Sequence, residues 1–133
     1  MVVLDTDTLS ALSREHDDGR IGGRLRRLPT SDHATTAITV GEIVFGSHRA
    51  RRPAIYITAR RLLDRMHVLP FDDYAAEAFG VLKSGLTRRG ELIAEADMRI
   101  AAITLVHDAT LITGNTKHFA RVPHLKVADW IRG

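Results

Sequence analysis

Four oxygen-bearing side chains stand where predicted strands end or predicted helices begin. Asp5 follows the apolar run Val2–Leu4, Glu42 follows the second predicted strand, Asp97 lies at the start of a late helix, and Asn115 follows a third convincing strand. Ligand sites in open α/β sheets lie beyond the carboxyl ends of the strands. We therefore expect these side chains, although spread over 110 residues of sequence, to meet at one edge of a sheet.

A cluster of carboxylates is hard to hold without a counter-ion, because like charges close together repel each other. The hard divalent cations Mg²⁺ and Mn²⁺ prefer oxygen ligands. Such an ion can polarise a phosphoryl oxygen and lower the pKa of a bound water, and two ions about 3.5–4 Å apart can steady both the attacking and the leaving oxygen. We interpret Asp5 as a residue that ends its strand because a metal lies there. The alternative for an Asp after a strand is the N-cap of the next helix.

The elements that must position these side chains are predicted as alternating strands and helices. Strands are predicted at residues 2–5, 33–39, 67–71 and 109–113, with a last strand within 125–130. Helices are predicted over residues 6–15, within 19–29, from about Val40 to Arg51, from Pro53, from the cap Asp72 to Gly90, and over 95–108. Asp7 or Thr8 is the predicted cap of the first helix, Glu42 falls in the first turn of the helix that begins near Val40, and residues 114–125 are predicted as a turn and short connection. The alternation predicts an α/β fold with a central, mainly parallel sheet of four to five strands flanked by helices.

Composition limits the classes of protein to which the chain can belong. A length of 133 residues with 44% apolar residues suits one domain, 1–133, with one core. The absence of cysteine excludes disulfides, a thiol nucleophile and cysteine-based metal sites, and it is compatible with the cytosol. Neither a membrane span nor a secretory signal is evident, so we expect a cytoplasmic protein with no membrane contact. The formal net charge of +3 weakly favours a polyanionic partner.

Four stretches of the chain resemble the successive motifs of a known family. "VVLDTDTLSAL", "ITVGEIVFG", "EADMRIAAI" and "TLITGNTKHFARVPHLKVADW" resemble, in this order and over nearly the whole chain, the motifs of PIN-domain ribonucleases. The resemblance is greatest to the VapC-type toxins of bacterial toxin–antitoxin pairs. It implies a PIN-like fold and an endonuclease that cleaves RNA with Mg²⁺ or Mn²⁺ in the cytoplasm. It also implies a homodimer that a cognate antitoxin protein holds inactive, within a larger toxin–antitoxin assembly in some relatives.

The resemblance also implies which residues act. Asp5, Glu42 and Asp97 match the family's first three acids, which makes them the expected catalytic residues and metal ligands. Asn115 occupies the fourth catalytic position, where the wider family often has Asp, and His118 stands where many relatives have an acid. An uncharged fourth residue makes a one-metal mechanism as reasonable as a two-metal mechanism.

Other polar side chains near these positions are assigned supporting roles. Thr6 and Thr113 are expected beside the acids, where a hydroxyl can orient a carboxylate or a water, and His118 is expected close enough to contact substrate. Asp7 departs from the family's usual third residue and is interpreted as a helix cap. The basic runs 24–27 and 48–52 either attract an RNA backbone or are solvated helix faces.

Two other classes of function remain open from the sequence. "DTDT" is similar to the Asp-x-Asp opening of haloacid-dehalogenase-like phosphatases, in which Asp5 would be a covalent nucleophile. That family has Thr where this chain has Leu9, and it needs a catalytic lysine, of which the chain offers only Lys83, Lys117 and Lys126. In the second alternative the acids are structural caps, and the domain binds RNA or a protein without catalysis.

Overall fold

A computed structural model describes residues 1–133, and it contains one sheet of five parallel strands. The strands are β1 (Val2–Leu4), β2 (His33–Thr36), β3 (His67–Leu69), β4 (Thr110–Ile112) and β5 (Lys126–Ala128). Their spatial order is β3-β2-β1-β4-β5, and Val3 of the central strand pairs with Ala34 on one side and Leu111 on the other. The predicted α/β fold with a parallel sheet is confirmed, including the last strand.

Seven helices and one short 3₁₀ turn connect the strands. The helices are α1 (Thr6–Ser13), α2 (Arg20–Leu25), α3 (Ala37–Arg49), α4 (Pro53–Leu63), α5 (Asp73–Arg89), α6 (Glu95–Val106) and α7 (Thr116–Phe119), and the 3₁₀ turn is Thr30–Asp32. Pro53 opens α4, as expected for a residue without a backbone N–H. Gly90 ends α5 with φ 65°, a left-handed conformation that glycine adopts without steric cost. No helix has both the length and the apolar character needed to cross a membrane.

The predicted second strand is too long and the helix after it begins too late. The strand ends at Thr36 rather than residue 39, because the Thr36 hydroxyl accepts a hydrogen bond from the backbone N–H of Thr39 at 3.1 Å and caps α3. Threonine suits both a strand and an N-cap, so the sequence left this boundary ambiguous. The earlier start of α3 puts Glu42 in its second turn, where the sequence had predicted the first.

Two further local predictions are wrong. The cap of α1 is Asp5, whose Oδ1 accepts from the N–H of Thr8 at 2.8 Å, and neither Asp7 nor Thr8 serves as the cap. The segment predicted as a turn and connection contains the short helix α7, which is fixed by the burial of Phe119.

The sheet separates two apolar clusters, one on each face. Side chains alternate between faces along a strand, so Val3 and Leu111 lie in the cluster covered by α5 and α6, while Leu4 and Ile112 lie in the cluster covered by α1 to α4. Burial on both faces explains why these strands are continuously apolar. The central strand β1 thereby fixes the position of the residue that follows it, which is Asp5.

Candidate active site

Asp5 is fixed at the carboxyl end of the central strand. Its backbone N–H donates to the carbonyl of Ile112 at 3.1 Å, so it is still tied to β4 while its side chain caps α1. The residue is 5% exposed. Burial raises the pKa of its carboxyl group above the ordinary value, against hydrogen bonds with Thr113 and Thr8 that favour the charged form. Asp5 is therefore both a helix cap and a member of the acidic site.

Glu42 reaches the same region from α3. Its Oε1 accepts a hydrogen bond from the hydroxyl of Thr6, the first residue of α1. This contact joins two elements that are 36 residues apart in sequence. The expectation that Thr6 orients an acid is consistent with this geometry.

Asp97 lies in the first turn of α6 and is half-buried. Its pKa is raised to about 6, first by burial and then by repulsion from Glu42, Asp5 and Asp7. His118 acts in the opposite direction and lowers the pKa. The charges of four acids therefore lie close together at this point.

These four acids line a cavity of about 160 Å³, together with Thr6 and Ile100. None of them forms an ion pair with any lysine or arginine of the chain. No group of three or more acidic or histidine side chains is placed to hold one metal ion in this conformation. The oxygens that line the cavity are nevertheless of the type that a hard cation such as Mg²⁺ prefers, and such an ion keeps several waters and takes few carboxylates directly.

The remaining predicted residues border this cavity rather than line it. Thr113 contacts Asp5, and its hydroxyl accepts from the backbone N–H of Asn115 at 2.9 Å. The side-chain nitrogen Nδ2 of Asn115 lies 2.9 Å from Nδ1 of His118. Asn115 lines an adjoining cavity, and His118 influences Asp97 only through its charge. The structure therefore brings Asp5, Glu42 and Asp97 together and leaves Asn115 and His118 at the margin.

Asp7 is the acid whose place the sequence reasoning missed. It is exposed in the first turn of α1, lines both cavities, and raises the pKa of Asp5 and of Asp97. The spacing "DTD" was the available signal for this position. When Asp5 caps α1, the residue two places later, Asp7, lies in the first turn of the helix. The interpretation of Asp7 as a cap hid this position.

The basic runs are placed differently from each other. Arg24 of the first run is engaged within the chain, since it contacts the carbonyl of Gly133 and the ring of Trp130. Arg51 and Arg52 of the second run line a separate cavity near Tyr56, on the surface between α3 and α4. Neither run lines the acidic cavity.

The chain is similar to known proteins in both sequence and fold. The model of the PIN domain family matches residues 2–125. Ribonuclease VapC2 of Haemophilus influenzae is 31% identical over 97 residues, which are 72% of this chain and 74% of that protein. The tRNA(fMet)-specific endonuclease VapC of Salmonella typhimurium is 27% identical over 104 residues, 77% of this chain and 79% of that protein. The solved structure of DNA-bound VapBC from Salmonella typhimurium matches with a TM-score of 0.90 and 25% identity over 97% of each chain.

Proposed function

Because the chain belongs to the PIN-domain family, we propose that it is a metal-dependent endoribonuclease and the toxin of a toxin–antitoxin pair. The observation that carries the proposal is the convergence of Asp5, Glu42 and Asp97 on one cavity that no lysine or arginine side chain lines. Asp5 directly follows β1, and the other two acids come from α3 and α6. The names of the VapC relatives and of the VapBC complex support both the activity and the partner.

Asp5, Glu42 and Asp97 are the residues that would hold the ion, Mg²⁺ or Mn²⁺, in part through waters bound to it. When bound, such an ion lowers the pKa of water and offsets charge that grows on the phosphoryl oxygens of RNA. Thr6 keeps the Glu42 carboxylate turned toward α1 through its hydrogen bond. Asp97 is largely ionised at neutral pH despite its raised pKa of about 6, so it can act as a ligand there. The cavity holds no thiol or amine side chain, and we propose water as the nucleophile.

The remaining residues would organise the site from outside. Thr113 stabilises the charged form of Asp5. Asn115 lines the adjoining cavity beside His118, and we propose that both contact the substrate there. We also propose that residues 1–133 act as one nuclease domain in the cytoplasm. A cognate antitoxin and a second copy of the chain are the proposed protein partners.

The proposal is tested by incubating the purified protein with total RNA and Mg²⁺ or Mn²⁺ and mapping the cut ends. Asp5→Asn should abolish cleavage while keeping the fold, because asparagine also caps helices. Asp72→Asn is the matched control, since Asp72 caps α5 by accepting from the N–H of Ala75 at 3.0 Å and does not line the acidic cavity. Cleavage by Asp5→Asn at the wild-type rate would refute the site.

A binding domain without catalysis is the main competing function, and metal response separates it from the nuclease. Millimolar Mn²⁺ should raise the melting temperature of the wild type, because a ligand that binds only the native state must stabilise it. The same ion should raise the melting temperature of Asp5→Asn much less. No cut ends with either ion, together with no metal-induced stabilisation, would favour the binding domain.

A further inference from the structure

A larger cavity of about 640 Å³ adjoins the acidic cavity and carries two arginines. Asp7 lines both cavities, so they lie next to each other. The larger one is also lined by Asn115, Arg14 and Arg132. The two basic side chains come from opposite ends of the chain and line a space beside the proposed site of cleavage.

Arg132 is held in place by part of its guanidinium group. Its Nη1 donates to the carbonyl of Gly114 at 2.7 Å and to Asp129 Oδ2 at 3.1 Å. Its Nη2 and Nε make no hydrogen bond within the chain, although a guanidinium has five N–H donors. The side chain is 72% exposed. Arg132 is therefore anchored on one side and free to bind an anion on the other.

The turn that carries Arg132 is itself fastened to the domain. Asp129 Oδ1 accepts from the backbone N–H groups of Ile131 and Arg132, at 2.8 and 3.0 Å. Trp130 is buried in the core, and the guanidinium carbon of Arg24 lies 5.8 Å from the centroid of the Trp130 ring. These contacts fix the position of the Arg132 backbone, so that the cavity has a defined basic wall.

Arg14 forms the other basic wall and has no partner of its own. It follows α1 directly, is exposed, and its side chain makes neither a hydrogen bond nor an ion pair within the chain. Asp5 and Arg14 cap the two ends of α1, which separates them by about 12–14 Å at 1.5 Å per residue. Arg14 is thus placed for a phosphate that flanks the cleaved one, not for the cleaved phosphate itself.

We propose that this cavity binds the backbone of the RNA substrate next to the cleaved bond, with Arg14 and Arg132 each contacting a phosphate. The inference rests on the proposed function. Four carboxylates repel a polyanion and one divalent cation offsets only part of their charge, so positive side chains beside them favour RNA binding. Arginine suits the purpose because its planar fork can bind phosphate through two hydrogen bonds.

The test measures RNA binding separately from cleavage. A fluorescein-labelled single-stranded RNA of mixed sequence is titrated, with Mg²⁺ present, with protein that carries Asp97→Asn to prevent cleavage. Adding Arg14→Gln or Arg132→Gln should weaken binding roughly three- to tenfold. Each should also reduce the slope of log affinity against log salt by about 0.7, the value for one lost phosphate contact on a single strand. Arg14→Lys should keep the slope, because it keeps the charge.

Arg65→Gln is the matched control. Arg65 is exposed without a side-chain partner, and it lies two residues before β3, at the amino edge of the parallel sheet and away from the acidic cavity. Equal behaviour of Arg14→Gln, Arg132→Gln and Arg65→Gln would overturn the inference and point to another occupant, such as an acidic segment of a partner protein. In that case cleavage of total RNA by the wild type would still support the nuclease. Arginine-dependent binding without any wild-type cleavage would instead support this inference and refute the proposed function.

Discussion

Replacing Asp97 with asparagine is expected to stabilise the metal-free protein at neutral pH. The pKa of Asp97 is raised from 3.8 to about 6, so folding disfavours its charged form. A difference of this size corresponds to about 3 kcal/mol at full strength. Because the side chain is only partly buried and is screened by solvent, we expect about 1–2 kcal/mol.

The sign follows from proton binding. A group whose pKa is higher in the folded state binds more protons there, so the stability it contributes is complete below the unfolded pKa near 4 and is lost as the pH rises through about 6. Asparagine cannot ionise and does not lose this stability. The variant and the wild type should therefore have similar stability near pH 4, and the variant should be more stable above about pH 7.

Urea unfolding in the presence of a chelator, at several pH values between these limits, measures the difference. Asp73→Asn is a suitable control, since it removes a first-turn carboxylate of α5 that does not line the acidic cavity. Adding Mn²⁺ should reverse the order of stability, because the wild type gains a ligand that the variant holds less well. A metal-free variant that is no more stable than the wild type above pH 7 would refute the electrostatic account of the site.

Three other substitutions test the supporting structure. Thr6→Val should lower kcat several-fold with the fold intact, because Glu42 loses its hydrogen bond. Thr6→Ser keeps the hydroxyl and should retain most of the wild-type kcat. An equal loss of kcat in both variants would exclude the hydroxyl as the cause. Thr36→Val should cost about 1 kcal/mol in urea unfolding through loss of the α3 cap, and Thr36→Ser should cost much less. Gly90→Ala should lower the free energy of unfolding by about 1 kcal/mol because of its φ of 65°, whereas Gly80→Ala, in open space within α5, should not destabilise.

The sheet and its acidic edge were predictable because they depend on local signals. Short apolar runs such as Val2–Leu4 and Thr110–Ile112 form strands that are buried on both faces, and the polar residue that follows each run must lie at the sheet edge. Asp5 is therefore fixed by its neighbours in sequence. The order of strands and helices placed Glu42 and Asp97 at the same edge, and the match of motifs to a known family distinguished them from solvated first-turn acids.

The parts that the sequence did not predict depend on competition or on distant contacts. Thr36 suits both a strand and a cap, and only the packed structure decides between them. Asp7 was misplaced because the identity of the α1 cap determines which face of the helix it occupies. Arg14 and Arg132 are 118 positions apart and line one cavity only because Trp130 of the last turn is buried in the core and Arg132 of the same turn contacts Gly114. No local pattern contains that information.

The clustered charges of the acidic site destabilise the fold that holds them. Asp5 caps α1 and so contributes to folding, yet its burial raises its pKa and makes its charge unfavourable. Asp97 is charged at neutral pH against the repulsion of three other carboxylates. A rigid sheet edge with a fully buried core on both faces can bear this strain, whereas a loop could not keep the charges together. A divalent cation would relieve the repulsion, so the repulsion that destabilises the metal-free protein would also drive metal binding. Neutralising one of these acids should therefore raise the stability of the metal-free protein and lower its activity.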